Sequence, residues 1–389
     1  MTLKEELEIL RGEPIKVFTG DPMSIPCIET SDPEKLCKHP VVSVSMITYN
    51  HEPYIRQAIE GVMMQKTDFE FELIIGEDCS QDKTREICFE YQKKYPDKIR
   101  VLWWHENVSK LGGNGRRCAA RRRGEFVSLC EGDDYWIDPL KLQKQVDVMR
   151  KFPDVGLCFC GAKRFYEQSG EWCDWKSGAF TPGLISGKKF LLYHLYGADP
   201  TRKPGSEGFI MTASTMFRVS FWRKARNEFD IFTWRLFLGD KQLFFGLSSV
   251  SDVYFLPDKT VVYRTNSGGI MTVRRNQVLR DSALVRMYFS VKACGLKPKE
   301  IPASVYIAYI QNLMPTLFAW TPRNLVHWVG DLSKTSFGSA FNRWPFFLLK
   351  IAVVLIAVTK YVCIRCFGAL RPNGRHWVSK RLAQKYKEI

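Results

Sequence analysis

Acidic side chains recur in this sequence where strand-like runs give out. Asp78 follows the apolar run Phe71 to Gly76, while Glu131, Asp133 and Asp134 follow Phe126 to Leu129. Glu131-Gly132-Asp133 sets two carboxylates one residue apart in a glycine turn. That form can hold one octahedral divalent cation, with substrate phosphate oxygens and water completing the shell. A Mg²⁺ or Mn²⁺ ion held there would neutralise charge developing on a phosphate leaving group. Taken alone, an Asp-Asp pair is more often an exposed acidic turn, here ahead of the helix that opens near Pro139.

The elements that must position these carboxylates follow a repeating rhythm. Val41 to Ile47 is a β-branched strand that ends on Thr48-Tyr49-Asn50, and a helix follows over Tyr54 to Gln65. Strand Phe71 to Gly76 leads to a helix over Thr84 to Tyr95; strand Ile99 to Trp103 leads to a basic helix over Asn114 to Arg123; strand Phe126 to Leu129 leads to the acidic turn. Alternating strands and helices imply βαβ units and a largely parallel sheet. In such sheets ligands bind outside the carboxyl ends of the strands, so both acidic clusters fall on one expected rim. Gly208 to Phe217 and Val253 to Arg264 read as further strands, and the pattern turns helical from Val278 to Trp320.

The 389 residues suit one α/β domain of roughly 200 to 250 residues with smaller appendages. Hydrophobic residues at 45% and charged residues at 25% describe a globular body. A formal charge of +16 attracts anions, whether nucleoside diphosphates, nucleic acid or acidic headgroups. No zinc knuckle, basic zipper or RNP-like strand supports a nucleic-acid partner. The opening MTLKEELEILRG has no apolar run of leader length, and the expected place of the globular body is the cytoplasm. Twelve scattered cysteines without zinc-ribbon spacing read as reduced, partly buried thiols.

Three successive motifs, Val42-Ser43-Val44-Ser45-Met46-Ile47-Thr48-Tyr49-Asn50, Gly76-Glu77-Asp78-Cys79-Ser80-Gln81-Asp82-Lys83-Thr84 and Glu131-Gly132-Asp133-Asp134-Tyr135-Trp136, closely resemble those of family 2 glycosyltransferases with the GT-A fold. The resemblance extends to Ser214 through Arg218, to Gly239-Asp240, and to Tyr263-Arg264 followed by Gly268-Gly269. It implies a sugar moved from a nucleotide-sugar donor to an acceptor hydroxyl by an inverting, metal-dependent displacement.

Residue by residue, the resemblance assigns Thr48, Tyr49 and Glu52 to the floor of the nucleotide pocket and Asp78 to the base or ribose. Asp133 ligates the metal with Glu131 beside it, and Asp134 supports the site or the donor sugar. Asp240 is the general base, since a single displacement needs one ionised carboxylate opposite the leaving diphosphate. Arg264 and Arg275 are placed near the diphosphate, with Gly268 and Gly269 giving a loop able to close. Trp136 is the candidate sugar platform, His51 reads as structural, and Arg121 to Arg123 read as a solvated helix face.

Glu77 and Glu131 stand where the commoner family pattern has aspartate. A Gln-x-x-Arg-Trp motif is absent, and Gln277-Val278-Leu279-Arg280-Asp281 lacks the tryptophan, which implies one sugar added per encounter.

These readings divide the chain into an N-terminal extension (1–39), a GT-A domain (40–275), a helical region (276–342) and an amphipathic, basic tail (343–389). In the tail Arg343, Lys350, Lys360, Arg365 and Arg371 share one side of a helical wheel, against Leu348, Ala352, Leu355 and Val362. Its charge-free stretch, 351 to 359, falls far short of the roughly 20 residues of a spanning helix. A helix lying in the membrane interface fits that segregation, at the inner face of the cytoplasmic membrane. The acceptor is then a glycan or a lipid-linked one, in cell-surface glycan or polysaccharide synthesis. A catalytically silent, nucleotide-sugar-binding scaffold is the rival reading.

Overall fold

Seven consecutive buried residues make Phe71–Glu77 (β3) an interior strand of the sheet, covered on both faces as parallel strands are. Val42–Thr48 (β2) pairs in parallel with β3 on one side and with Phe126–Leu129 (β5) on the other, and Ile99–Trp103 (β4) pairs in parallel with β3. Helices Ile55–Met63 (α2), Thr84–Lys94 (α3) and Gly113–Arg121 (α4) connect these strands. The carboxyl ends of all four strands therefore reach one edge. Gly76 is what lets α4 sit against that edge: a Cβ there would come 2.4 Å from Asn114 Oδ1 and 2.6 Å from Cys118 Sγ.

The computed structural model describes residues 1–18, 21, 24–108, 113–175, 180–196, 210–236, 239–268 and 275–301, together with 305, 331–332 and 334–337. The tail expected over 343–389, most of the helical region over 276–342, and Gly269 lie outside the described residues.

Beyond β5 the sheet turns mixed. Thr215–Arg218 (β10) is antiparallel to both β5 and Val155–Tyr166 (β7), and Asp252–Thr265 (β11) runs parallel to β7. Tyr135–Trp136 (β6) and Gly183–Ile185 (β9) are antiparallel to β11, while Glu171–Asp174 (β8) is antiparallel to β7. The full order is β1-β4-β3-β2-β5-β10-β7-β11-β6, where β1 is Ile28–Thr30, antiparallel to β4. The mostly parallel, helix-flanked sheet is the architecture that the strand and helix rhythm implies. The strand expected over Gly208 to Phe217 shrinks to β10, because Thr212–Ser214 forms a 3-10 turn. Residues 155 to 166 carried no strand expectation. Their first eight positions are all buried, so no alternation marks them.

Lys141–Lys151 (α5) packs on β7, and a second core lies apart from the sheet. It gathers Gly187–Tyr196 (α6), Val219–Glu228 (α7), Gly239–Val250 (α8) and Arg275–Lys292 (α9) around Leu284, Tyr288 and Phe289. The N-terminal helix Leu3–Arg11 (α1) belongs to this core through Leu7 and Leu10, each worth about 1.5–3 kcal/mol when fully buried. Thr2 and Glu5 cap it reciprocally, and Arg11 reaches Asp281 of α9 at 3.3 Å. The extension 1–39 thus supplies both a core helix and an edge strand. Among the described residues no helix is long and apolar enough to cross a membrane.

Candidate active site

The loops after β2 and β3 are laced to each other before any ligand arrives. Asn50 and Cys79 adopt left-handed backbone (φ 54° and 61°), and their turns exchange five hydrogen bonds across the gap. The N–H groups of Asn50, His51 and Glu52 donate to Ser80 Oγ, Thr84 Oγ1 and Asp82 Oδ2, at 3.0, 2.8 and 3.0 Å. In return Gln81 N–H donates to Asn50 Oδ1 and Lys83 N–H to Glu52 Oε2. Of the residues assigned to the nucleotide floor, Thr48 is buried, Tyr49 is exposed at the rim, and Glu52 is partly buried and ties the two loops.

The first acidic turn is closed. Asp78 has no solvent exposure; its Oδ1 accepts from Val108 N–H at 2.8 Å and lies 3.5 Å from Arg117 Nη2, itself fully buried. Glu77 is equally enclosed, accepting from Ser80 N–H at 2.6 Å and from Arg85 Nε at 2.5 Å.

The second acidic turn is open. Gly132 N–H donates to Ile47 O, which seats the turn against the end of β2. A Cβ on Gly132 would come 2.7 Å from Thr48 Oγ1 and 2.8 Å from His51 Nδ1. Those two atoms and Glu131 Oε2 are buried with no hydrogen-bond partner among the described residues. Such unpartnered groups are costly unless a ligand or water meets them.

Carboxylates crowd around this opening. Burial, then the charges of Asp133 and Asp240, push the Glu131 carboxyl up to about 8. Burial, then Asp133 and Glu131, push Asp134 well above the usual carboxylate range, and burial raises Asp240 as well. Asp240, in the first turn of α8, is thereby brought within electrostatic reach of Glu131, more than a hundred residues earlier in the chain. Burial lowers His51, with Asp133 and Asp82 pulling the other way. Tyr263 is pushed up to about 12 by burial and by Asp134 and Asp133.

Register explains how Arg264 arrives. Val262 pairs with Tyr135 and Val261 with Trp136 in an antiparallel ladder, which carries Arg264 to Asp133. Its N–H donates to Asp134 Oδ1 and its Nε to Asp133 O, each at 2.9 Å; its terminal nitrogens face Glu167 and Gln57, and its plane lies over Tyr135. The guanidinium is turned into the protein at 8% exposure, so it acts on the site by holding the turn. Asn266, which carried no expectation, donates to Asp133 Oδ2 at 3.2 Å. The side chain of Arg275 lies outside the described residues.

Asp78, expected at the base or ribose, is sealed away from any nucleotide donor, and Arg264, expected at the diphosphate, is turned inward; two further sequence expectations are corrected. Trp136 is 2% exposed and its indole N–H donates to Ala213 O at 3.0 Å, so it is core and not a sugar platform. Arg121 to Arg123 are not a solvated face: Arg123 reaches Glu72 at 2.6 Å and Arg122 lies over Trp222.

Among the described residues no three His, Cys, Asp or Glu side chains are gathered closely enough to hold an ion by themselves. The oxygen-rich, mutually repelling donor set with the unpartnered Glu131 Oε2 fits a hard divalent cation that keeps few protein ligands.

Residues 43–223 match the family model described as Glycosyl transferase family 2. The uncharacterized protein Rv1520 of Mycobacterium tuberculosis is 32% identical over 229 residues, covering 59% of this chain and 60% of that relative's length. The putative teichuronic acid biosynthesis glycosyltransferase TuaG of Bacillus subtilis is 34% identical over 110 residues, 28% of this chain and 42% of TuaG. A crystal structure of S. aureus TarS in complex with UDP-GlcNAc superposes with a TM-score of 0.48 at 18% identity, over 76% of this chain and 89% of that one. The family match spans the strands and turns that build both acidic loops, and the likeness of the chain to glycosyl transferase family 2 rests on residues 43–223.

Proposed function

We propose that the chain transfers a sugar from a nucleoside diphosphate sugar to an acceptor hydroxyl by a metal-assisted, inverting displacement. The observation that carries this reading is the Glu131 carboxyl, buried, unpartnered at Oε2, and pushed up by both Asp133 and Asp240. Carboxylates that raise one another in this way are relieved by a cation. Asp133 and Glu131 are the residues that would hold it, and when bound it offsets charge on the leaving diphosphate.

The chain's own groups supply the rest. Thr48, Tyr49 and Glu52 form the nucleotide floor, and Asp78 stabilises the loop beside it from within. Arg264 and Asn266 orient Asp133, while Arg264 also fixes Asp134, which supports the donor sugar. Asp240 accepts the proton of the acceptor hydroxyl at its carboxylate. Burial raises its affinity for a proton above that of an ordinary carboxylate, the direction a general base needs.

Participation in cell-surface glycan synthesis is supported by the likeness to TuaG, whose name places it in teichuronic acid biosynthesis. The basic, amphipathic tail supports a peripheral position at the cytoplasmic membrane, with a glycan or lipid-linked acceptor there.

Thermal unfolding with nucleoside diphosphates, with and without Mn²⁺, tests the site. A selective nucleotide at a hundred times its Kd should stabilise by about 2.7 kcal/mol, and only with the metal. Asp240→Asn should keep that stabilisation yet lose donor turnover by about 10²–10⁴-fold. Stabilisation without turnover in the parent chain would leave a silent scaffold; no stabilisation by any nucleotide sinks the proposal.

A further inference from the structure

Apart from the acidic turns, four arginines from three segments lie over two aromatic rings, and a fifth, Arg223, adjoins them. Arg116 of α4 and Arg235, shortly before α8, both lie over Phe18, with guanidinium carbons 4.4 and 5.1 Å from the ring centre. Arg122, just past α4, and Arg226 of α7 both lie over Trp222, at 4.1 and 4.8 Å. Arg223 lies one helical turn before Arg226 on α7 and its charge bears on Arg122, while the charges of Arg226 and Arg235 bear on Arg116. Arg223 also lines a cavity of about 520 Å³ together with Lys38, His39 and Arg123.

Carboxylates do not balance this row. Asp21 attracts Arg116, but Arg122, Arg223, Arg226 and Arg235 have no carboxylate ion pair among the described residues. Nη2 of Arg122 and Nε of Arg235 are closed off from solvent without a partner among those residues. Burial, then the charges of Arg226 and Arg223, push Arg122 down to about 9. Two guanidiniums on one ring repel each other, and an anion between them removes that cost. A guanidinium stacked on a ring keeps its edge free for bidentate contact with phosphate or carboxylate.

We infer that this arginine row binds an acceptor chain carrying repeated anionic groups, phosphate or carboxylate, and leads it toward Asp240. The inference rests on the transferase reading above and names the class of its acceptor. Arg235 lies shortly before α8 in the chain, and the first turn of α8 carries Asp240. Arg223 opens onto the concave cavity it shares with Lys38, His39 and Arg123, which an anionic group of a single chain can enter and a flat acidic bilayer cannot. Nucleic acid fits poorly, because Phe18 and Trp222 are already covered by guanidiniums and cannot stack bases.

The full chain is titrated with labelled oligogalacturonate and with short inorganic polyphosphate at several salt concentrations. A neutral dextran oligomer and phosphatidylglycerol vesicles serve as comparisons. At least one anionic chain should bind more weakly as salt rises, and Arg223→Gln with Arg226→Gln, both exposed, should cost about tenfold in affinity. The tighter of the two chains tells carboxylate from phosphate. Arg122→Gln with Arg235→Gln should weaken binding further, and both double variants should keep Mn²⁺-dependent stabilisation by a nucleoside diphosphate. Binding of neither chain, binding indifferent to the exposed pair, or a preference for vesicles that depends on these arginines overturns the inference. Arginine-dependent chain binding in a protein that no nucleotide stabilises would sink the transferase reading and leave the anion-binding row standing.

Discussion

The two acidic turns at the carboxyl edge differ in what their buried groups touch. At the turn after β3, Asp78 and Glu77 are enclosed and each meets a cation and a backbone N–H. At the turn after β5, Glu131 Oε2, Thr48 Oγ1 and His51 Nδ1 meet nothing among the described residues. Each turn also has a buried cation behind it. Arg117 faces the carboxylate of Asp78, whereas Lys141 has, among the described residues, only Ser128 Oγ, Gln145 Oε1 and the Trp136 ring. Similar carboxylates at equivalent strand ends thus take opposite roles: a satisfied one holds the frame, and an unsatisfied one offers a site.

The comparison breaks most sharply at the closed turn. Arg117→Met leaves Asp78 buried without its cation and should cost about 3–5 kcal/mol in urea unfolding. Adding Asp78→Asn should recover part of that loss; full stability in the single variant would show that the closed turn is not an ion-paired frame.

Asp133→Asn addresses the open turn and should reduce transfer by about 10²–10³-fold, the scale of one lost charge-stabilising contact. Its melting temperature should hold or rise, because Glu131 and Asp134 lose a repelling neighbour. A marked drop in stability would mean that this turn, too, is structural. Gly132→Ala forces a methyl group onto Thr48 Oγ1 and His51 Nδ1, and should cost about 1–3 kcal/mol together with nucleotide binding.

The smallest effect is a pH dependence. Burial pushes Lys141 down to about 8, so between there and the ordinary lysine range the unfolded chain holds a proton that the folded chain has released. Stability therefore gains from this group as pH rises above 8. Lys141→Met should flatten that gain in unfolding curves measured across the range.

Much of the frame was legible in the chain because the parallel strands announce themselves. The runs 99 to 103 and 126 to 129 match their strands end for end, and β2 and β3 shift by a residue or less at each end. The mixed half was harder: β7 is buried over eight successive positions, and the three residues of β1 carry no pattern of their own. Within the site, Glu131, Asp133 and Asp134 were visible from type and spacing. Asn266 and the buried partners of Asp78 were not, since pairing across distant segments leaves no local mark. Trp136 misled for the same reason, because a tryptophan beside an acidic turn reads alike whether its ring faces a ligand or Ala213.

By itself the sequence determined the order of strands and helices and the placement of carboxylates at their ends, because hydrophobic periodicity and turn chemistry are local. Only the tertiary structure decided which carboxylate is sealed and which is open, and which arginine holds a turn and which lines a row on Phe18 and Trp222. Those outcomes depend on burial and on partners brought together from far apart in the chain, and both the charge state and the availability of a side chain follow from its surroundings.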